Sequence, residues 1–584
     1  MKKNICISLV LTILMSCTIV AQNASYSVNN TKMNQVLRSI NDLYVDTVDF
    51  TKLVETGIVE ILKELDPHSV FIPAKEVATA NEPLQGAFDG IGITFQIIKD
   101  TVNVMEVLVG GPSEKVGLMA GDKIVKVDTF DATGKKISNK WVADHVRGTK
   151  GTKVHLFVKR GKRPELIEFT ITRDKIPMNS INVSFMVDKN TGYIRLERFA
   201  QTSTAEFEDA LKTLKTKGLK NLIFDLRGNG GGYLDVAFKI SNQFIKENNL
   251  IVYTDNVHHY REEMRAQKEG LFKNGKLILL VDENSASASE IVSGAVQDWD
   301  RGLILGRRTF GKGLVQRPLN LQDHSQIRLT TSHYYTPTGR CIQKPYNDGL
   351  EQYFSELNNR YKRGEYITAD SVSFPDSLKY YTPRGRVVYG GGGIMPDIFI
   401  PYDTSKYSTL YNEMYRKGLF SAFTLDYMES NKENLAAKYP TIDIFKKDFN
   451  ISDDLYQEFM AYAKKEGIKD TVPLLFSARM TSFINDKKGS LDSLYTKIED
   501  INQLDQLEVM MQDFIKESYN MSVRLRNEEK AGEFIKEYLK FEFARNLFTF
   551  GEAYQIFLLS DDTFQHAVTL MKEDKTFQNF KINY

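Results

Sequence analysis

The fold is decided by Lys276-Leu277-Ile278-Leu279-Leu280-Val281, followed closely by Asn284-Ser285-Ala286-Ser287-Ala288-Ser289-Glu290. The first run is nearly all apolar, as is typical of a buried strand, and the second opens an amphipathic helical pattern. At a strand-to-helix junction several backbone N–H groups are unpaired and the helix dipole is positive. An alkoxide or oxyanion formed at Ser287 is stabilised there. A serine-rich N-cap without chemistry is the simpler alternative, and this motif alone favours it.

Strands and helices alternate on both sides of this junction. The patterns predict strands over residues 193–198 and 221–226 and a helix over residues 234–246. Ser203-Thr204-Ala205-Glu206 has the pattern of a capping box that opens another helix. Such alternation indicates βα crossover units around a partly parallel sheet. We therefore predict a multidomain α/β protein with an α/β core built from βα units.

The flanking regions differ from this core in pattern. Residues 32–65 have apolar side chains at helical spacing, whereas residues 88–176 contain short β-rich runs separated by glycine and proline. A polar, tyrosine-rich stretch at residues 344–388 has the appearance of an insertion. After Pro401 the chain is highly charged and keeps helical periodicity to about Phe580. We expect helical regions at both ends of the chain.

Composition excludes several classes of function. The 584 residues are 42% hydrophobic and 26% charged, with a net charge of +1, which is ordinary for globular domains. This balance gives no electrostatic reason to expect a nucleic-acid partner. No cluster of His, Cys and Glu has the spacing of metal ligands, so we expect neither a metal nor an organic cofactor. The eight histidines are scattered without the context of a catalytic base.

The first residues resemble an export signal. Lys2 and Lys3 precede an apolar run from Ile5 to Met15, which is too short for a permanent membrane span. Leu14-Met15-Ser16-Cys17 also resembles a lipoprotein cleavage box, with Met15 fitting that box poorly. We expect an exported, periplasmic protein, either free after cleavage near Ala21 or anchored through a lipid on Cys17. Because Cys6 and Cys17 lie in this signal region, cleavage near Ala21 would leave Cys341 alone, and no intrachain disulfide is expected.

A second motif changes the interpretation of Ser287. In Thr309-Phe310-Gly311-Lys312-Gly313-Leu314-Val315-Gln316 a lysine lies between two glycines. Burial in such a turn disfavours the ammonium form, and a neutral lysine can deprotonate a serine. An exposed turn lysine is one alternative. A phosphate-binding loop is another, because Gly306, Gly311 and Lys312 have its spacing, although Gly313 stands where that loop needs Ser or Thr.

A third motif is the run Asp225-Leu226-Arg227-Gly228-Asn229-Gly230-Gly231-Gly232-Tyr233-Leu234 at the end of an apolar strand. Glycines without Cβ atoms can present backbone N–H groups to a ligand. Two such donors suffice for an oxyanion hole. A loop that binds a nucleotide phosphate is the main alternative for this run.

Together these motifs resemble the carboxyl-terminal processing peptidases, also called tail-specific proteases. The similarity runs from about Lys32 to Pro401 and includes Leu65-Asp66-Pro67-His68-Ser69 and Gly393-Ile394-Met395-Pro396-Asp397. The resemblance implies a serine endopeptidase that forms an acyl-enzyme. It implies the following site residues: Ser287 as nucleophile, Lys312 as general base, Gln316 as the residue that orients Lys312, Gly231 and Ala288 as oxyanion-hole donors, and Asp298 as a structural support.

The β-rich segment resembles a PDZ domain. Phe88-Asp89-Gly90-Ile91-Gly92-Ile93 is similar to its carboxylate-binding loop, so Gly90, Ile91, Gly92 and Ile93 are the expected tail-binding residues. Loop N–H groups would form a nest for a terminal carboxylate while the peptide adds as a strand. The resemblance implies that the domain senses apolar C-terminal tails of protein substrates and gates the active site. Arg147, before Gly148 and Gly151, is our candidate for relaying that state.

We thus predict five regions: a signal peptide (1–22), an N-terminal helical domain (26–82), a PDZ domain (85–176), a Ser-Lys protease core (177–401, with the insertion 344–388) and a C-terminal helical domain (402–584). Oligomerisation, adaptor docking and scaffolding all remain open for the last region. The competing function is a scaffold that binds tails without cutting them. Intact Ser287, Lys312 and Gln316 argue against that alternative.

Overall fold

A computed structural model describes residues 25–161, 163–372, 374–403, 406, 408–468 and 531–584. The expected signal segment and Cys17 lie outside these residues. The helices are α1 (25–43), α2 (Phe50–Lys63), α3 (Ala74–Gln85), α4 (Pro112–Lys115), α5 (Asn139–Val146), α6 (Ser203–Thr216), α7 (Leu234–Asn242), α8 (Ala288–Asp298), α9 (Leu350–Lys362), α10 (Thr409–Arg416), α11 (Leu419–Lys438), α12 (Ile442–Asp448), α13 (Asp453–Lys465), α14 (531–547), α15 (Phe550–Phe557), α16 (Asp562–Met571) and α17 (Asp574–Asn579).

The strands are β1 (Val70–Ile72), β2 (Ala87–Gly90), β3 (Ile93–Ile98), β4 (Thr101–Val107), β5 (Lys123–Val127), β6 (Phe130–Asp131), β7 (Lys153–Lys159), β8 (Ile167–Thr172), β9 (Asp174–Pro177), β10 (Val183–Met186), β11 (Thr191–Arg195), β12 (Asn221–Asp225), β13 (Leu250–Asn256), β14 (Arg261–Arg265), β15 (Leu277–Val281), β16 (Leu303–Gly306), β17 (Leu314–Asn320), β18 (Gln326–Tyr335), β19 (Lys379–Tyr381), β20 (Val387–Tyr389) and β21 (Ile398–Phe399). Among the helices that the structure describes, none is long and apolar enough to cross a membrane.

The chain divides into two compact units. The first consists of Met1–Lys75 together with Pro318–Leu329. In its described part, α1 and α2 precede β1, which pairs antiparallel with the first residues of β18, with Phe71 opposite Ile327. The predicted N-terminal helices are therefore present, and a strand follows them.

The second unit contains the predicted α/β core. Its main sheet has the strand order β10-β11-β12-β15-β16-β21, and every pair from β11 to β21 is parallel. Strand β15 is buried along its whole length, as expected for a central parallel strand. Helices α6, α7 and α8 supply Phe207, Ile240 and Val292 to the hydrophobic cluster on one face. The α/β fold class predicted from the sequence is confirmed.

The other face of the same sheet is covered by helices from the end of the chain. Tyr193, Ile223 and Leu280 of the sheet share a hydrophobic cluster with Phe564 of α16 and Phe577 of α17. A largely buried ion pair connects the same regions, because Arg227 donates to Asp561 at 2.8 Å. The last helices thus form the third layer of the α/β core. Helices α10 to α15 build a separate, aromatic-rich cluster of their own.

The β-rich segment forms an antiparallel sheet in the order β3-β4-β5-β7-β8, with β6 paired to β5. Val104, Ile124, Leu156 and Ile171 are fully buried in its core. Strand β3 lies at an edge of this sheet. An edge strand is the element to which an extended peptide can add.

One local prediction is wrong. The Ser203–Glu206 pattern does not form a capping box, because the helix begins after Thr202 and the Ser203 hydroxyl donates to Ser180 Oγ and Arg198 O. The Glu206 carboxylate instead accepts the N–H groups of Ser180 and Ile181 at 2.7 and 3.0 Å. The other oxygen of Glu206 accepts the hydroxyl of Thr202 at 2.6 Å, so the carboxylate has both tertiary and local partners.

Candidate active site

Ser287 occupies a sharp turn between β15 and α8. Its backbone has φ 56° and ψ −112°, a conformation that residues other than glycine rarely adopt. Holding a serine there costs about 1–3 kcal/mol, which the surrounding contacts must offset. The turn ends at the start of α8, where the helix dipole is positive. The junction proposed from the sequence is therefore present, and its backbone is strained.

The three serines of the motif have different environments. Ser285 and Ser289 are fully buried, and their hydroxyls donate to the carbonyls of Leu226 and Asn229, each at 2.8 Å. These bonds attach both serines to the glycine-rich loop. Ser287 is only partly buried. Of the three hydroxyls, that of Ser287 is the one placed for a substrate to reach.

The glycine-rich loop lies directly against Ser287. A Cβ atom built on Gly231 would be 2.9 Å from both the Ala286 carbonyl and the Ser287 Cβ, and 3.1 Å from the Ala288 nitrogen. Gly231 also has φ 105°, which disfavours any side chain. The structure thus brings the two expected oxyanion-hole residues together. In this conformation the Gly231 N–H donates to the Asn229 side-chain oxygen at 2.9 Å.

A buried carboxylate joins the turn of Ser287 to the loop of Lys312. Glu290 Oε2 accepts the N–H groups of Ser287 at 2.8 Å and Lys312 at 2.9 Å. Its Oε1 accepts the Gly311 N–H at 2.7 Å and the Thr309 hydroxyl at 2.6 Å. Complete burial raises the pKa of Glu290 to about 6, while these four hydrogen bonds act in the opposite direction.

A buried phenol makes a second connection between the same two segments. The Tyr334 hydroxyl lies 2.6 Å from the Lys312 carbonyl and 3.1 Å from the Ser287 carbonyl. Burial keeps the pKa of Tyr334 well above its ordinary value, so the phenol stays protonated and donates. The backbones of Ser287 and Lys312 therefore share two partners, Glu290 and Tyr334.

The side chain of Lys312 meets the residue expected to orient it. Lys312 Nζ donates to Gln316 Oε1 at 3.0 Å, which directs the amine along the start of β17. Asp298 lies away from this contact, at the end of α8. It is fully buried, forms an ion pair with Arg340, and accepts the Thr338 N–H at 2.9 Å. A supporting role of Asp298 for the active site stays a prediction.

The expected tail-binding loop, residues 90–93, leads into the edge strand β3. Gly92 has φ 75°, and its carbonyl accepts the Leu108 N–H at 2.9 Å. The Ile91 carbonyl accepts the N–H and the hydroxyl of Ser113, at 3.1 and 2.7 Å. Ile91 is buried, whereas Ile93 is partly exposed. The loop is thus fixed through its carbonyls beside an edge that can accept a peptide.

Arg147 lies where helix α5 ends and connects the β-rich domain to α3. Its guanidinium donates to Glu82 at 2.8 Å and lies 4.2 Å from the centre of the Phe88 ring. Phe88 belongs to β2, immediately before the tail-binding loop. The residue proposed as a relay therefore contacts both α3 and the approach to that loop.

Sequence reasoning missed the roles of Glu290 and Tyr334. Glu290 stands three residues after Ser287, a spacing that indicates a capping box and so gave a weak signal. No sequence pattern indicated the contacts of Glu290 with residues 309–312, because that loop is distant from Glu290 in the sequence. Tyr334 stands 47 residues after Ser287 in an ordinary β-strand pattern. Nothing local distinguishes it.

Comparison with known proteins agrees with this geometry. Residues 190–352 match the model of peptidase family S41, and residues 90–171 match the model of the PDZ domain. Residues 410–481 match a family of unknown function, DUF8443. The first two matches cover the Ser287 and Lys312 segments and the β-rich sheet. They define a peptidase-family core combined with a PDZ domain.

Curated relatives narrow this class. The chain is 30% identical to the carboxy-terminal-processing protease of Bartonella bacilliformis over 57% of its length and 78% of that protein. It is 33% identical to carboxy-terminal processing protease CtpA of Bacillus subtilis over 58% of its length and 72% of that protein. A probable CtpA-like serine protease of Staphylococcus epidermidis is 34% identical, over 58% of this chain and 68% of that one. The chain belongs to peptidase family S41, among the carboxy-terminal processing proteases.

Proposed function

We propose that this chain is an exported serine endopeptidase that binds the C-terminal tail of protein substrates through its PDZ domain and cleaves near that tail. The proposal depends on one observation: the same two side chains hold the segment of Ser287 and the segment of Lys312. Glu290 and Tyr334 each bind the backbones of both Ser287 and Lys312. A nucleophile and a base need such fixed geometry, because small displacements of reacting groups lower rates strongly.

In the proposed reaction, neutral Lys312 takes the proton of the Ser287 hydroxyl while that oxygen attacks the scissile carbonyl. The N–H groups of Gly231 and Ala288 stabilise the resulting oxyanion. Lys312 then protonates the leaving amine, and the C–N bond breaks to give an acyl-enzyme on Ser287. Water, deprotonated by Lys312, hydrolyses the ester and releases the acid product. No step uses a metal or an organic cofactor.

The Gly231 N–H has a partner before substrate binds, and this affects the first step. Its bond to Asn229 Oδ1 means that an oxyanion must compete with a neutral amide oxygen for the same donor. A charged acceptor forms the stronger hydrogen bond. In the transition state, the developing oxyanion would therefore form a strong hydrogen bond with the Gly231 N–H. In the ground state, the neutral substrate carbonyl would form a weaker one. Such a difference raises the rate.

Tail recognition is proposed to act through the edge of the β-rich domain. A peptide adding to β3 would place its terminal carboxylate at residues 90–93. Next to this loop, Arg147 lies over the Phe88 ring, and a set of contacts joined by short chain segments leads from Arg147 toward Ser287. Arg147 binds Glu82 on α3, Leu84 near the end of α3 accepts the Gln201 N–H at 2.8 Å, and Phe199 donates to the Gly231 carbonyl at 3.0 Å. We propose this set as the relay between tail and active site.

The direct test uses purified full chain and an unstructured protein with an apolar C-terminal tail. Wild type should cleave it, whereas Ser287→Ala and Lys312→Ala should each abolish turnover and still bind the tail. Activity of the wild type should rise with pH as Lys312 loses its proton. Tail binding without cleavage, unaltered in Ser287→Ala, would instead establish a scaffold. High activity in Lys312→Ala would refute the assignment of the base.

Export is proposed from the segment 1–22, which lies outside the described residues. Mass spectrometry of the protein recovered from its native host should find a new N-terminus near Ala21 or a lipid-modified Cys17. Recovery of an intact Met1 from the periplasmic fraction would contradict cleavage.

A further inference from the structure

The loop that carries Lys312 is bonded along its whole backbone. Over residues 309–313 each N–H group has an acceptor and each carbonyl has a donor. The acceptors are Ile394 O, Ser285 O, Glu290 Oε1, Glu290 Oε2 and Gln343 Oε1, and the donors are Arg360 Nη1, Arg360 Nη2, Lys344 N, Tyr334 Oη and Tyr334 N. Buried backbone groups are normally paired, but few loops draw on so many distant partners.

Three of these ten partners come from segment 344–388, and two of the three belong to one side chain. Arg360, on helix α9, is 1% exposed. Its Nη1 donates to the Thr309 carbonyl at 2.7 Å and its Nη2 to the Phe310 carbonyl at 3.1 Å. Its Nε donates to Glu356 at 2.7 Å, which balances the buried charge. A buried guanidinium is tolerated only with such complete pairing.

We infer that Arg360 is a positioning residue, which fixes the backbone of residues 309–310 so that Lys312 is presented to Ser287. This inference rests on the proposed function. Segment 344–388 is then a part of the catalytic framework. The N–H groups of Gly311 and Lys312 donate to the Glu290 carboxylate. The carbonyls of Thr309 and Phe310 accept from the Arg360 guanidinium. The loop is thus fixed through both its donors and its acceptors.

The chemistry of arginine suits this role. A planar guanidinium offers donors in a fixed fork, so one side chain can bind two successive carbonyls and an acidic partner together. The ammonium group of a lysine lacks that fork. The loop itself needs external support, because Gly311 and Gly313 flank Lys312 and impose little conformational restriction. Without Arg360, the carbonyls of Thr309 and Phe310 would lose the guanidinium as a donor, and the loop would shift.

The test compares Arg360→Met and Arg360→Lys with a control at the C-terminal cap of the same helix, Arg363→Met. Arg363 is 51% exposed, and it pairs with Glu365 at 2.8 Å and with Glu356 at 3.5 Å. For Arg360→Met we expect kcat on a tailed peptide to fall by about 100-fold with KM unchanged, the cost of a displacement near 1 Å. The acid limb of the kcat profile should move to higher pH, because a displaced Lys312 is better hydrated. Arg360→Lys should be intermediate, and Arg363→Met should match wild type.

Hydrogen exchange of the peptide covering residues 307–316 provides a readout independent of turnover. It should be faster in Arg360→Met than in wild type and unchanged in Arg363→Met. If Arg360→Met fails to fold, Arg360→Lys is compared in the same two measurements. Unchanged kcat and unchanged exchange in folded variants of Arg360 overturn the inference, as does a loss confined to KM. If wild type cleaves no tailed substrate, the proposed function fails. Exchange in this segment then still decides whether Arg360 fixes the loop.

Discussion

The Glu290 carboxylate accepts the backbone N–H of Lys312 at 2.9 Å, although 22 residues separate the two in the sequence. The same oxygen accepts the N–H of Ser287. One buried acid therefore sets the distance between the segments of the proposed nucleophile and base. An ionised carboxylate can accept all four of its hydrogen bonds, whereas a protonated one must turn one oxygen into a donor.

The titration of Glu290 should be visible in stability. Because burial raises the pKa of Glu290 from 4.5 to about 6, the folded chain binds this proton more tightly than the unfolded chain does. The contribution of Glu290 to the free energy of unfolding therefore decreases as pH rises from about 4.5 to about 6. Above that range the contribution is constant. The decrease is about 2 kcal/mol at 1.36 kcal/mol per pKa unit. The measurement is the unfolding midpoint of wild type between pH 4 and 8.

Glu290→Gln is the control for this titration, because it keeps the shape of the side chain and removes the proton equilibrium. The difference in midpoint between wild type and Glu290→Gln should change between pH 4.5 and 6 and then remain level. Parallel curves across this range would contradict the raised pKa. We also expect Glu290→Gln to reduce turnover, since its NH₂ group faces backbone donors and leaves one of them unpaired, at about 1–3 kcal/mol.

Replacing Ser287 by glycine should separate stability from activity. The Ser287 backbone has φ 56° and ψ −112°, which glycine adopts without strain. Ser287→Gly should therefore be more stable than Ser287→Ala by about 1 kcal/mol, after the greater chain entropy of glycine is subtracted. Both variants should be inactive. Thermal unfolding of the two proteins side by side gives the comparison, and equal midpoints would argue against strain at this position.

The glycine-rich loop offers a matched pair of substitutions. A Cβ atom on Gly231 would meet the Ala286 carbonyl and Ser287 Cβ at 2.9 Å, whereas one on Gly230 has no atom within 4 Å. We expect Gly231→Ala to reduce kcat by at least 100-fold, on the order of the loss of an oxyanion donor. Gly230→Ala should retain activity near that of wild type. Similar losses in the two variants would show that the loop as a whole, and not Gly231, is sensitive.

The relay can be tested at Arg147 without large effects on folding. Its pair with Glu82 is partly exposed, so the pair itself contributes about 0–1 kcal/mol to stability. Arg147→Ala should lower the cleavage rate on substrates with an apolar tail and should leave the unfolding midpoint nearly unchanged. Lys140→Ala is the control, because Lys140 is a highly exposed cation on the same helix. Unchanged cleavage of tailed substrates by Arg147→Ala would remove the relay.

The features that were predicted correctly from the sequence are those that short segments of the chain determine. The apolar run of β15 requires burial on both faces, and Ser287 follows it at a turn, so a strand-to-helix junction was evident. The alternation of patterns from residue 193 onward indicated parallel βα units for the same reason. The resemblance to the carboxyl-terminal processing peptidases, and not the spacing alone, implied that Gln316 orients Lys312. The structure has their side chains in contact.

What the sequence did not predict depends on partners distant along the chain. Glu206 had the spacing of a local cap, but its carboxylate accepts the N–H groups of Ser180 and Ile181. Arg360 lies in a polar helix whose pattern gave no reason to expect complete burial. The spacing of apolar residues indicates which side of a helix or strand faces inward. It carries no information about which charged side chain is buried beside a loop elsewhere in the fold.

The third layer of the core has a consequence for how the protein is made. The sheet face with Tyr193, Ile223 and Leu280 emerges during synthesis well before α16 and α17, which cover it. Until the helices over residues 550–579 are available, this apolar surface lacks most of its native cover, and a partly made core exposing it is prone to aggregate. The apolar face of the sheet therefore becomes a buried interface only late in synthesis, after most of the polypeptide has been produced.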